Sequence, residues 1–228
     1  MQPRFLGQLG LADAVTVANA AIGFVAAAVA FTDPQLAARL ILLGAIADGL
    51  DGVIARARGG TPVGPYLDSL ADVASFGVAP AALVFVVATP DGLEATPLAL
   101  AAIGVPALFV AMAVVRLGFY MLNDSERPQT EGVQTTLAGT LIAVAYIAGV
   151  TDPVVLLAGA AVLTYLMVAS ITYPELYARD AVVLGGLQAL VVLFPTAGGR
   201  VLPRALLVFA LLYLLFAPAF YWRETERS

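Results

Sequence analysis

Apolar residues run along this chain in stretches far longer than a soluble helix or strand requires, separated by short polar breaks. A helix needs about 20 mostly apolar residues to cross the hydrocarbon core. Windows of that size mark eight spans, at 11–31, 36–57, 67–89, 97–122, 133–150, 154–172, 180–195 and 203–222. The breaks carry turn chemistry: Thr32-Asp33-Pro34, Gly59-Gly60-Thr61-Pro62, Thr89-Pro90-Asp91-Gly92, Thr151-Asp152-Pro153, Pro174-Glu175 and Ala197-Gly198-Gly199. No repeat of 20–50 residues is visible. The pattern predicts an all-α, polytopic membrane helix bundle of about eight transmembrane helices, forming a single membrane domain over 1–228.

Composition sharpens this. The chain is 61% hydrophobic, against roughly 45–50% apolar for soluble domains. Cysteine and histidine are both absent, which excludes disulfides, zinc–thiolate sites and thiol or imidazole chemistry. Acid–base work must then come from Asp, Glu or Tyr, and metal ligation from carboxylate oxygens, which suit Mg, Ca or Mn. The net charge of −5 argues against a nucleic-acid partner, because phosphate binding needs a basic surface. The N-terminus "MQPRFLGQLGLADAV" lacks the layout of a cleaved signal peptide, so the first span is expected to direct insertion itself.

All positive residues are arginines, and their placement orients the spans. With the N-terminus in the cytoplasm, that side receives Arg4, Arg56, Arg58, Arg116, Arg127, Arg179, Arg223 and Arg227; Arg39, Arg200 and Arg204 fall opposite. The expected protein therefore sits in the cell membrane with both termini cytoplasmic. Trp222, Tyr213 and Tyr221 are expected interfacial anchors.

Against this background one stretch stands out. "ADGLDGVIARARGGTPVGPYLDSLADVAS", Ala47 to Ser75, holds Asp48, Asp51, Asp68 and Asp72. An ionisable group at membrane depth costs a few kcal/mol on insertion scales, and neighbouring carboxylates add mutual repulsion. Protonation or a divalent cation relieves it, and the spacing favours the cation. Asp48 and Asp51 are three apart and Asp68 and Asp72 four apart, so each pair shares one helix face. The short "ARGGTPVG" link forces the two helices to lie antiparallel and adjacent, with both pairs facing the cytoplasm. Two such pairs make an oxygen cage of the kind that holds two ions about 3.5–4 Å apart. Small residues (Gly44, Gly52, Gly64, Ala47, Ala55, Ala71) permit close approach of helices or ligand. Arg56 follows the first pair and is placed to clamp a phosphate.

Asp48-Gly49-Leu50-Asp51-Gly52-Val53-Ile54-Ala55-Arg56 followed by Gly64-Pro65-Tyr66-Leu67-Asp68-Ser69-Leu70-Ala71-Asp72 resembles the signature of the CDP-alcohol phosphatidyltransferases. The spacer between Arg and Gly is one residue shorter than is usual there. The resemblance covers a core at about 10–150, leaving 151–228 as additional transmembrane helices. It implies that a small alcohol attacks the lipid-bearing phosphorus of a CDP-lipid and that CMP leaves. It also implies two divalent ions, Mg or Mn, on Asp48, Asp51, Asp68 and Asp72, with Asp72 as general base. Gly52, Ala55, Arg56 and Gly64 would line the nucleotide and pyrophosphate pocket. Homodimerisation is usual in that family.

Further stretches resemble its serine-using branch of bacterial and archaeal type. "VTVANAAIGFVA" is similar to the branch's first helix, implying that Thr16 and Asn19 face the nucleotide, and "LDSLADVASFGVAPAAL" to its third. "EGVQTTLAG" and Arg116-Leu117 fall in two further runs. Phe119, Met121 and Gln134 depart from the branch pattern, where Arg, Asn and Pro stand. Arg116 is then the remaining cation for the carboxylate of an L-serine acceptor. With no lysine and an acidic balance, CDP-archaeol is a candidate lipid beside CDP-diacylglycerol. The alternatives are another acceptor, such as glycerol phosphate or inositol phosphate, a cation transporter, or an intramembrane aspartyl protease. A transporter would string polar residues toward both faces, whereas these cluster on one.

Overall fold

The computed structural model describes residues 7–90, 92–93, 97–123, 129–174 and 178–221. Arg4, Arg127, Trp222, Arg223 and Arg227, and the turn residues Asp91 and Glu175, lie outside the described residues. The chain forms α1 (Leu11–Val29), α2 (Pro34–Arg58), α3 (Gly64–Asp72), a wide π-type turn (Val73–Val78) and α4 (Ala79–Ala88). It continues through α5 (Pro97–Asn123), β1 (Gln129–Glu131), α6 (Thr135–Ala148), α7 (Pro153–Met167), β2 (Thr172–Pro174), α8 (Ala178–Leu193) and α9 (Ala197–Phe220).

Local sequence explains several boundaries. Asp33 caps α2 by accepting from the Leu36 amide at 2.9 Å, with Pro34 at the first helical position. Asp152 and Pro153 start α7 in the same way, the Val155 amide donating at 3.0 Å. The expected break at Ala197-Gly198-Gly199 is a left-handed run, with φ of 58°, 68° and 68° at Gly198, Gly199 and Arg200, so regular α9 begins only beyond it.

The third expected span is interrupted. α3 gives way to the π turn, in which the Ala79 amide reaches back five residues to the Ala74 carbonyl. Pro80 follows at once; its ring cannot stack on the Phe76 carbonyl in α register, and the wider turn relieves the clash. Two glycines let neighbouring helices close on this turn. A Cβ on Gly23 of α1 would lie 2.7 Å from the Ser75 Cα, and one on Gly139 of α6 would lie 3.0 Å from the Phe76 Cα.

Leu11–Val29, Gly64–Ala88, Pro97–Leu122 and Ala197–Phe220 are long and apolar enough to cross a membrane. α2 has the length, at 25 residues, but carries the acid pair and two arginines in its last turns. α6 and α7, at 14 and 15 residues, rise about 21–22 Å at 1.5 Å per residue, short of the roughly 30 Å core. α6 is nonetheless the centre of the bundle, buried on nearly every side between α2, α4, α7 and α9.

One element departs from the expected all-α fold. β1 and β2 pair antiparallel, Gln129 against Pro174, Thr130 against Tyr173 and Glu131 against Thr172. The Gly132 amide donating to the Ile171 carbonyl (2.8 Å) and the Val133 amide to Leu166 (3.0 Å) extend the seam. Three-residue strands leave no period-2 signal to read.

The helices run up and down, so the end of α2, the starts of α1, α3 and α6, and the end of α5 gather at one pole. At the other pole, Arg39 donates to the Val192 carbonyl (2.7 Å) and Arg204 to Ala148 (3.4 Å). Both finish carbonyls that the last turns of α8 and α6 leave without a helical partner.

Candidate active site

Helical spacing brings three carboxylates of the acid stretch together. Asp48 from α2 and Asp68 and Asp72 from α3 present oxygens that all lie within 4.8 Å of one another. Two ionised carboxylates at that separation repel by about 3 kcal/mol at an effective dielectric of about 20. Three of them need a compensating positive charge or shared protons. Thr136, in the first turn of α6, holds its hydroxyl 3.5 Å from Asp48 Oδ2 and 3.4 Å from Asp72 Oδ2, long contacts that cannot offset this repulsion.

Asp51 does not join this group as closely. Its Oδ2 accepts a 2.5 Å hydrogen bond from the Thr16 hydroxyl of α1. It opens instead, with Asp68, on a cavity of about 610 Å³ between the ends of α1, α2, α3 and α5. Thr16, Gly52, Ala55, Arg56 and Gly64 also line this cavity. Gly52 leaves room for the arginine one turn on, since a Cβ there would sit 3.4 Å from Arg56 Nη1. Asn19, expected in the same pocket, does not line it. Three residues beyond Thr16, it lies about 4.5 Å deeper along α1, wholly buried, with its Oδ1 2.9 Å from where a Gly44 Cβ would be.

Two contributors were not read from the sequence. Asp13, almost fully buried, accepts from the Gly10 amide (2.7 Å) and the Thr61 hydroxyl (2.8 Å), pinning the α2–α3 link to the start of α1 at the cavity wall. Thr136 is the other. Its signal was the doubled threonine at the start of the fifth span, but only packing reveals that it meets α2 and α3.

Arg116 of α5 is buried, with a guanidinium that donates from Nη2 to the Thr130 hydroxyl at 3.1 Å and lies 5.1 Å from the ring centre of Tyr120. It is close enough to act electrostatically on Asp72. Tyr120 and Met121 continue the cavity wall, so the helix that carries the arginine also borders this space.

The donor set suits a divalent cation. All its atoms are hard carboxylate oxygens, and Asp72 Oδ1 is buried without a hydrogen-bond partner among the described residues. An orphaned anionic oxygen inside an apolar bundle is costly unless a cation takes it up.

A family model described as CDP-alcohol phosphatidyltransferase matches residues 9–172. A CDP-diacylglycerol–serine O-phosphatidyltransferase of Mycobacterium leprae is 38% identical over 98 residues, covering 42% of this chain and 30% of that protein. The protein of the same name from Saccharomyces cerevisiae is 35% identical over 130 residues, 53% of this chain and 44% of its own length. An archaetidylserine synthase of Methanothermobacter thermautotrophicus is 29% identical over 171 residues, 73% of this chain and 70% of its own. The chain thus spans less than half the length of the first two relatives. A match over most of the chain, on the segment whose carboxylates converge, places it in a family: this chain belongs to the CDP-alcohol phosphatidyltransferases.

Proposed function

We propose that the protein transfers a phosphatidyl-type group from a CDP-lipid to the hydroxyl of L-serine, releasing CMP, in phospholipid synthesis. The observation that carries this is the convergence of Asp48, Asp68 and Asp72 beside a cavity walled by Gly52, Ala55 and Arg56. Names of relatives support the acceptor: all three compared above are serine transferases or an archaetidylserine synthase.

Asp48, Asp68 and Asp72, with Asp51 on the cavity wall beside them, would hold two divalent ions, Mg or Mn. Such ions supply charge neutralisation to the diphosphate and to the departing phosphate. The rest falls to the chain's own groups. Phosphoryl transfer asks for positioning and charge stabilisation more than covalent help. Arg56 clamps a phosphate at the mouth, and Thr16, Gly52, Ala55 and Gly64 shape the nucleotide wall. The serine oxygen attacks the lipid-bearing phosphorus, the bond from that phosphorus to the CMP oxygen breaks, and Asp72 accepts the hydroxyl proton. Asp72 lies within electrostatic reach of Arg116 and holds one oxygen 3.4 Å from the Thr136 hydroxyl. Arg116 receives the serine carboxylate, holding the hydroxyl toward Asp72.

The bundle is read as eight spans in the cell membrane, both termini and the acid pole cytoplasmic, in keeping with the arginine bias. The core at 10–150 carries the site, 151–228 adds helices, and the working form is a homodimer. Whether the lipid is CDP-diacylglycerol or CDP-archaeol is decided by the donor the enzyme prefers.

The test is direct. Purified protein given CDP-diacylglycerol or CDP-archaeol, L-serine and Mn or Mg should release CMP, and chelation should stop it. CMP release with glycerol phosphate or inositol phosphate but not serine would reject the acceptor while keeping the reaction. Arg116→Ala should raise the serine KM by about tenfold or more, the worth of a charge-assisted pair, with the KM for CDP-lipid within about twofold. An equal rise in both would assign Arg116 to structure.

A further inference from the structure

α9 contains Pro218, whose nitrogen carries no hydrogen, so the carbonyl four residues earlier, Leu214, has no donor within its helix. The Tyr173 hydroxyl fills that place at 3.1 Å. Tyr173 is only 3% exposed, so bulk water cannot substitute for it. One residue before Leu214, the Tyr213 hydroxyl donates in the opposite direction, to the Pro174 carbonyl at 2.5 Å. β2 and α9 are therefore clasped by two hydroxyls pointing opposite ways.

The clasp leads to the site. Tyr173 stands directly opposite Thr130 in the strand pair, and opposed residues of an antiparallel pair share a face with Cβ atoms about 4.5–5.5 Å apart. Both side chains are buried. Thr130 is the residue that accepts from Arg116. Arginine has many rotamers to lose, so the aim of its guanidinium depends on a fixed partner. Thr130 is one such partner, and its own position is held by a strand fastened to α9. The family match ends at Thr172, so the whole clasp lies in residues beyond it.

We propose that Tyr173 is a positioning residue for the acceptor subsite, with α9 serving as the frame that fixes Thr130 and, through it, the aim of the Arg116 side chain. This rests on the reading of Arg116 as the acceptor-carboxylate ligand.

The test uses the full chain in lipid nanodiscs, with CDP-diacylglycerol, L-serine and saturating Mn. Tyr173→Phe should raise the serine KM about fivefold, leaving kcat and the CDP-diacylglycerol KM within about twofold. Adding Pro218→Ala to that variant returns an amide donor to the Leu214 carbonyl. Thermal stability should then recover while the serine KM stays raised. An unchanged serine KM in folded Tyr173→Phe, an equal shift in both KM values, or recovery of KM together with stability would each overturn the proposal. Tyr213→Phe repeats the test should Tyr173→Phe not fold, and failure of both to fold makes the clasp structural only, which also overturns it. Arg116→Ala, run in parallel, separates the layers. A raised serine KM there but not in the tyrosine variants removes only the clasp's role, whereas no rise there removes the acceptor assignment and the clasp's role with it.

Discussion

Asp72→Asn should bind divalent metal at least in part yet lose turnover by a factor on the order of 10³, the range expected for removing a general base. The substitution keeps the side chain's shape and one oxygen. Asp48 and Asp68 remain, and both stand within 4.8 Å of position 72, so a weakened oxygen cage survives. What disappears is the anionic oxygen proposed to accept the alcohol's proton. With no histidine or cysteine in the chain, only a neighbouring carboxylate already committed to the cage or a tyrosine is left to take the proton. Mn binding followed by electron spin resonance, alongside CMP release, measures the two properties separately. Turnover near that of the parent would remove Asp72 as the base. Loss of Mn binding together with turnover would make it a ligand first.

The second large effect is on folding. Gly132→Ala should destabilise the protein by on the order of 3 kcal/mol or prevent its accumulation, since a left-handed backbone and a hard clash act together. Gly132 has φ of +76°, and a Cβ there would lie 2.1 Å from the Met167 carbonyl oxygen, a distance no backbone tolerates. The seam between the α5–α6 link and the end of α7 would have to open. That seam carries Thr130 and leads directly into Thr135 and Thr136, so any folded remainder should also show a weaker hold on Arg116. A thermal melt of detergent-purified protein reads the first effect, and a melting point within a degree or two of the parent would show that the seam can shift freely.

The grouping of Asp48, Asp68 and Asp72 was legible because their spacing is a local fact of the helix. Separations of three and four residues put each pair on one face whatever the rest of the chain does, and a short link sets the faces together. Of the small residues read beside them, Gly44 and Gly64 do meet close neighbours, a Cβ there lying 2.9 Å from Asn19 Oδ1 and 3.2 Å from Asp13 Oδ1; Gly23 and Gly139, which hold the tightest helix contacts, lie outside that stretch. The inward turn of Asp51 toward Thr16 was not legible, because it depends on how α1 crosses α2. The burial of Asn19 one turn below the cavity depends on the same crossing. Asp13 has no acidic partner at helical spacing to mark it, and its grip on Thr61 joins positions 48 residues apart. The strand pair was hidden for another reason: three residues are too few to show alternation, and its partners lie on either side of two whole helices. Span lengths were overread where α6 and α7 stop short, since apolar loop residues extend a hydropathy window without extending a helix.

The π turn has a consequence for how this protein can change. An extra residue per turn offsets α4 by about 100° from the direction α3 would have given it. A single crossing thereby aims its acids at one neighbour and its oily half at others, such as Leu83 and Val84 in the core. Excising one residue between Val73 and Val78 would keep every acid in place and spin the remainder of the crossing out of register. The chemistry and the scaffold share a rod but not an azimuth, which leaves each free to drift without dragging the other along.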